Sequence, residues 1–303
     1  MDDWDKINAV DRMQAYILAH LDEEISMQDL SDAAGYSLWH SLRLFKEYLK
    51  KTPFEYIRAM RLTSAARQLR DSDTKVIDAA MHHGFDSHDG FTRAFARQFQ
   101  MTPSKYQSEK PPVRYFTYYP IRHSYLQNTK RSDEEMKKGL SNTITVQAVE
   151  RPARKMILLR SEHAADYFSF CEEKGCEWEG LLNSIAEKMD TASCLTLPMN
   201  LTAKGTSPIA AGIEVPQDYR KEIPEGYEVI DLQPCTLLYF RGLPYDNEED
   251  FGEAINIAFD AVEHYRPEVY GYALADELSP RFNFGSSAQT GAKLAIPVKP
   301  IES

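Results

Sequence analysis

Two arginines, Arg43 and Arg93, stand fifty residues apart, and the residues around one recur around the other. Ser37, Phe45, Leu49, Thr52 and Pro53 return as Ser87, Phe95, Phe99, Thr102 and Pro103; Gly35-Tyr36 returns as Gly84-Phe85, with Asp86 inserted. An arginine fork presents paired N–H donors that match the O6 and N7 acceptors of guanine in a major groove. Each copy reads as a short apolar helix, a Gly-aromatic turn, a Ser cap and a second helix with one buried aromatic and one Arg. That is the layout of a helix-turn-helix, present twice. The chemistry it offers is the reading of two stretches of one DNA groove by one chain.

Other chemistries find less support. The cysteines Cys171, Cys176, Cys194 and Cys235 show no CxxC spacing and read as reduced thiols. His82 and His83 are adjacent, and with His88 they leave no third ligand at a workable spacing, so no metal centre is expected. No nucleophile triad or phosphate loop stands out, and neither catalytic residues nor a cofactor are expected. No apolar run approaches the ~20 residues of a membrane span. The N-terminus MDDWDKINAVDRMQ is acidic and does not read as a signal peptide, so the expected place is the cytoplasm.

The net charge of −11 looks wrong for a DNA binder until it is divided. Residues 1–110 hold 15 basic against 17 acidic residues, whereas the remainder holds 20 against 29. Within 35–70, eight bases (Arg43, Lys46, Lys50, Lys51, Arg58, Arg61, Arg67, Arg70) face two acids, Glu47 and Glu55. That segment would meet phosphate. The acidic surplus is C-terminal and hints at a cationic ligand there.

The elements that position these groups follow from periodicity and punctuation. Ile7, Val10, Met13, Ile17 and Leu21 space a helix over 5–21. Ser26 with Asp29 opens a short helix over about 27–34. Ser37 caps a helix to Leu49 with Leu38, Leu42, Phe45 and Leu49 inward, and Thr52-Pro53 opens a long one to Arg70. The second unit repeats this at 75–83 and 87–99, with a closing turn at 103–106. Pro111-Pro112 and the charged run 128–139 mark a linker whose aromatics (Tyr115, Phe116, Tyr118, Tyr119) can pack on a domain. From Asn142 the period becomes two. Strands fit at 143–150, 155–162, 194–200 and 208–215 with a helix near 174–190. A second round gives strands at 227–232, 235–241, 269–274, 281–286 and 292–298 with a helix at 248–264. The expected protein is multidomain. An all-α double helix-turn-helix domain (1–108) and a linker (109–142) precede an α+β domain (143–303) of two pseudo-symmetric strand-strand-helix-strand-strand halves. A cleft between the halves is a natural ligand site.

The text DLSDAAGYS…LRLFK…TPFEYIRAMRL, followed by IDAAMHHGFDSHDGFTRAFARQFQMTPSKY, resembles the AraC-type DNA-binding domain. The stretch 143–299 resembles, more loosely, the gyrase-inhibitor-like effector-binding domain of multidrug-responsive regulators, through Ile213-Glu214-Val215-Pro216 and Ala295-Ile296-Pro297-Val298. Together the resemblances imply a bacterial, ligand-responsive transcription regulator. Its partners would be double-stranded DNA, RNA polymerase and a small aromatic or cationic effector. The resemblance places Trp39, His40 and Arg43, with Lys46, and then His88, Asp89, Thr92 and Arg93, at DNA. Ser41-Leu42 inverts the family's usual order, Gly90 shortens the second contact surface, and Asp89 repels phosphate. A structural ion pair is the plain alternative for either arginine. For the effector, Trp178, Tyr239, Tyr270, Tyr272, Phe282 and Phe284 supply aromatic faces and Glu214 or Glu177 the acid. Here the plain alternative is an ordinary sheet core with Glu214 solvated. Lys293 replaces an acid common in the family. Some members of the effector superfamily resemble hydrolases. In that alternative Glu214 is the general base, oriented by Trp178 or Tyr239, in a detoxifying or ligand-sequestering module.

Overall fold

Local caps set the helices of the N-terminal unit. In this computed structural model, which describes residues 3–122 and 140–301, the chain divides into two units, Met1–Arg131 and Ser132–Ser303. The first carries α1 (Asp3–Ala19), α2 (Met27–Ala34), α3 (Leu38–Leu49), α4 (Pro53–Asp71), α5 (Val76–His82), α6 (His88–Phe99) and α7 (Pro103–Glu109). Ser26 and Asp29 form a full capping box on α2, as Thr52 and Glu55 do on α4, where Pro53 occupies the first turn. Gly35 and Gly84 end the first helix of each motif at φ of 73°, a left-handed backbone that glycine adopts without steric penalty.

Two apolar cores share α4. Tyr56, Ile57 and Met60 of α4 join Val10, Met13, Ile17, Leu30, Leu44 and Phe45. One turn on, Leu62, Ala65, Ala66 and Leu69 join Phe91, Phe95, Phe99 and Tyr106. Leu38, expected inward, is 41% exposed, whereas Leu44 is buried. At 100° per residue the inner arc of α3 is centred on Ser41, Leu44 and Phe45, so Leu38 and Leu42 fall on its flanks.

The segment after α7 packs on both cores. Val113 and Tyr115 enter the second, and Phe116, Tyr118 and Ile121 pack against the first. Thr63 Oγ1 accepts the Phe116 amide at 2.9 Å, and Gln14 Oε1 accepts the Ile121 amide at 2.9 Å. The charged run 128–139 lies outside the described residues.

The second unit is an antiparallel nine-stranded sheet: β1 (Ile144–Arg151), β2 (Arg154–Arg160), β3 (Ser193–Thr196), β4 (Ile209–Pro216), β5 (Glu228–Leu232), β6 (Cys235–Gly242), β7 (Tyr272–Leu274), β8 (Arg281–Ser287) and β9 (Gly291–Pro300). The order is β1-β6-β9-β8-β3-β4-β2-β5, with β7 on β9. The helix expected over 174–190 is instead two short ones, α8 (Tyr167–Lys174) and α9 (Trp178–Asn183). Gly175, at φ 77°, breaks the run between them. Further along, α10 covers Phe251–His264. One sheet face is covered by helices. There α8 and α9 pack Phe170, Trp178 and Leu182 onto Ile157, Ala211 and Ile213, and α10 packs Ala254 and Ala258 onto Leu238, Phe240 and Leu294. The alternate residues, Met156, Leu158, Leu195, Leu237, Tyr239, Phe282 and Ala295, form a separate cluster on the other face. Gly212 lets this cluster close: a Cβ there would lie 2.6 Å from Leu195 Cδ1 and 2.9 Å from Met156 Sδ.

Candidate nucleic-acid interface and ligand face

The outer face of α3 presents side chains free to meet a groove. Trp39 is 81% exposed, an unusual state for a large apolar ring. Arg43 and Lys46 are exposed on the same helix, one and two turns on. The Arg43 guanidinium donates to His40 Nδ1 at 3.1 Å, and the His40 ring packs edge-on against Tyr36, 4.9 Å between centroids. The turn thus holds the imidazole, and the imidazole holds the guanidinium. Arg43 makes no ion pair among the described residues.

The outer face of α6 differs. Asp89, at the position of Trp39, has a side chain 85% exposed and lies 3.7 Å from His88 Nδ1. Arg93 is exposed, like its counterpart Arg43. Thr92 is half-buried, and its hydroxyl is enclosed without a hydrogen-bond partner. The Thr92 hydroxyl therefore faces away from a groove.

The basic surplus over 35–70 is smaller at the surface than in the sequence. Arg61 Nε donates to the Leu21 carbonyl at 2.8 Å and Nη2 to that of Glu23. Arg70 pairs with Asp71 at 2.6 Å and lies over the Tyr115 ring. Arg12 donates to the Ala33 and Ala34 carbonyls at the end of α2, at 2.9 and 2.5 Å, whereas the Arg61 bonds reach the loop between α1 and α2. Arg12 lies near Gly35 and Arg61 near Gly84, each within 4 Å of where a Cβ would be. The offset of 49 residues from Arg12 to Arg61 matches that from Gly35 to Gly84; it was the signal by which these residues could have been found. Gln14 and Thr63 share the same offset.

Of the eight aromatic and acidic residues expected at an effector site, Glu177 directly precedes α9, and the other seven fall in three places. Trp178 is buried in the core under α8 and α9. Tyr270 and Tyr272, with Tyr265, line an open groove of about 540 Å³ beside β1 and α10. Glu214, Tyr239, Phe282 and Phe284 share the helix-free sheet face, where the three rings form a near-parallel stack: Tyr239 to Phe284 at 5.9 Å and Phe284 to Phe282 at 5.6 Å.

Charge on that face reverses the balance of the C-terminal sequence. Glu214, 2% exposed, is ion-paired to the fully buried Arg154 and lies 3.3 Å from Arg151. Asp190, from the loop between α9 and β3, receives Lys293 Nζ at 2.5 Å and the Tyr239 hydroxyl at 2.9 Å, with Arg151 3.5 Å away. Burial alone would raise the Asp190 carboxyl, but Lys293, the Thr191 amide and the Tyr239 hydroxyl together hold it below its ordinary value. Burial pushes the Lys293 ammonium down, with Asp190 opposing and Arg241 and Arg151 reinforcing the shift. Burial, then the Asp190 charge, raises the Tyr239 hydroxyl. Arg151 and Asp190 were missed as candidates because each reads as an ordinary charged residue at a strand end or in a loop, and Lys293 was noted only as the replacement of an acid. Among the described residues no helix is long and apolar enough to cross a membrane.

Residues 30–109 match the model of a helix-turn-helix domain family. Regulatory protein SoxS of Escherichia coli is 38% identical over 93 residues, which is 31% of this chain and 87% of SoxS. The transposon Tn10 TetD protein is 40% identical over 95 residues, 31% of this chain and 69% of TetD. Transcriptional regulator Rob of Salmonella typhimurium is 35% identical over 118 residues, 36% of this chain, and the match spans 41% of Rob. Among solved structures, a probable AraC family transcriptional regulator from Rhodopseudomonas palustris is 27% identical, with a TM-score of 0.32, covering 33% of this chain and 95% of that one. On the extent of the SoxS and TetD matches, the chain belongs to the AraC family of helix-turn-helix transcription regulators.

Proposed function

We propose that this chain is a ligand-responsive transcription regulator in which residues 1–108 bind double-stranded DNA and residues 143–303 bind a small-molecule effector. The observation that carries the DNA half is the pair of helices α3 and α6, each set against its own core with an arginine outward at the same position; Ser87 caps α6 as expected, whereas the Ser37 side chain, against expectation, makes no capping hydrogen bond on α3. The two heads do different work. Trp39, His40, Arg43 and Lys46 supply apolar contact, a fork and positive charge, the means to read bases. Asp89 at the tip of α6 repels phosphate, so His88 and Arg93 mainly orient the chain on the backbone.

The effector half is supported by the helix-free face, where stacked rings and convergent charges lie together. Its two-halves reading is supported by the strand order. With β7 set aside, the sequence from either edge inward is the first strand of the other half, then the second, fourth and third strands of one half. On this reading each half lends its opening strand to its partner, and Phe282 and Phe284 of β8 lie on a strand where the halves meet. The hydrolase alternative is the less favoured one, although Tyr239, the other residue expected to orient Glu214, shares its face. Trp178 packs under α8 and α9, on the opposite face from Glu214, and Glu214 is held by arginines.

The test is DNA selection with the purified full chain. A recovered common sequence, bound more weakly by Arg43→Ala, supports the reading; recovery of random sequence would sink it. RNA polymerase recruitment follows from this reading and is checked by transcription in vitro from the selected site.

A further inference from the structure

Around the Asp190 carboxylate, the helix-free face is assembled as an anion site. Lys293 from β9, Arg151 from β1 and the Tyr239 hydroxyl from β6 converge on this one carboxylate. It arrives on a loop, whereas the groups that hold it come from three adjacent strands of the sheet. The floor beneath is aromatic: Lys293 Nζ lies 4.0 Å from the centre of the Phe284 ring, and Arg151 and Arg241 lie over Tyr239 at 5.6 and 5.7 Å. Arg241 is exposed and makes no ion pair among the described residues. Glu214, the other acid on this face, is ion-paired to Arg154 and lies beside Arg151. Cations on the face, Arg151, Arg154, Arg241 and Lys293, outnumber the acids Asp190 and Glu214.

We propose that this face binds an aromatic carboxylate and that Asp190 is its internal stand-in, displaced when the ligand arrives. The proposal rests on the reading that the helix-free face is the effector site, and it names the ligand's class.

The energetics select that class. A largely buried cation left without a partner is strongly unfavourable. Exchange of one carboxylate for another leaves Lys293 and Arg151 partnered in both states. A neutral ligand that displaced Asp190 would leave Lys293 without an anion and Arg151 with Glu214 alone, and a cationic ligand would add to the surplus. An aromatic ring attached to the incoming carboxylate gains contact with the half-buried Phe284, beside Lys293, which Asp190 cannot use. The loop can let go locally. Met189 stays anchored to the Glu214 carbonyl at 2.8 Å and Ala192 to Asn183 at 3.0 Å, so only Asp190 and Thr191 need move.

Three ligands with one ring system test this by calorimetry on the full chain: 2-naphthoate, naphthalene-2-methanol and 2-naphthylmethylammonium. The expected result is binding of the naphthoate alone. Asp190→Asn, which removes the competing charge, should tighten it by about tenfold if the stand-in occupies the site some nine-tenths of the time. Lys293→Met should abolish it. Binding of the ammonium or the alcohol in preference to the naphthoate would overturn the ligand class while leaving an effector site on this face. Binding of none of the three by the folded wild-type chain would overturn the effector reading as well. Unchanged or weaker naphthoate affinity in a folded Asp190→Asn chain would overturn the stand-in role.

Discussion

Arg43 and Arg93 occupy matched positions in matched helices, yet their surroundings differ. Arg43 leans on His40 beside an exposed tryptophan, whereas Arg93 stands near an exposed aspartate. Replacing Arg43 with alanine should weaken binding to the preferred site by about 1–3 kcal/mol and relax its sequence preference. Replacing Asp89 with asparagine should strengthen binding to all sequences alike, because it removes a charge that repels phosphate. A gel-shift titration at fixed salt measures both, and equal losses on specific and random DNA for Arg43→Ala would contradict its assignment. A separate test concerns thiols. Hydrogen bonding from Cys176, against the opposing effect of burial, brings Cys171 down to about 7, whereas burial raises Cys194 to about 12. Alkylation should therefore reach Cys171 well before Cys194, at a rate that climbs through neutral pH. Mass spectrometry of a timed iodoacetamide reaction would show the order.

Helix boundaries were legible because their signals are local. Ser26 with Asp29, and Thr52 with Pro53 and Glu55, form the boxes that their spacing announces. The inner arc of α3 was less legible, since Leu38, Leu42, Leu44 and Leu49 are alike in type and only the packing decides among them. Its central position is Ser41, fully buried with its hydroxyl unpartnered, where the second motif has Phe91. A buried hydroxyl without a partner is a net cost, so Ser41→Ala should leave binding intact and raise stability by about 1 kcal/mol. A lower urea midpoint would show that the hydroxyl is satisfied. The segment 113–122 was read from its prolines and charges as linker, but its aromatic residues and the Gln14 and Thr63 side chains bind it across both cores. A Thr63→Val substitution removes one pin and should cost about 1 kcal/mol in chemical denaturation. In the second unit the alternation of strands was plain, whereas the pairing of β1 with β6 and of β2 with β5 joins residues far apart in sequence, which periodicity does not encode.

At the scale of the whole molecule, an acidic chain carries a DNA-reading unit because its charges are segregated. The charge on the helix-free face was not legible, because Asp190, Arg151 and Lys293 meet only through the fold. That cluster predicts an acid limit. The folded Asp190 carboxyl titrates below its ordinary value, so its stabilising contribution is complete above the unfolded value, about 3.9, and is lost as pH falls through the folded one. Chemical denaturation should show wild-type stability dropping below about pH 4 more steeply than that of Asp190→Asn. The central claim, that two like scaffolds carry unlike reading heads, is tested most directly by footprinting selected DNA with the wild-type chain, Arg43→Ala and Arg93→Ala. The expected result is two protected segments about one helical turn apart. Arg43→Ala should erase base preference in one of them, and Arg93→Ala should lower protection evenly across sequences. A single protected segment, or a base preference that depends on Arg93 and not on Arg43, would contradict it.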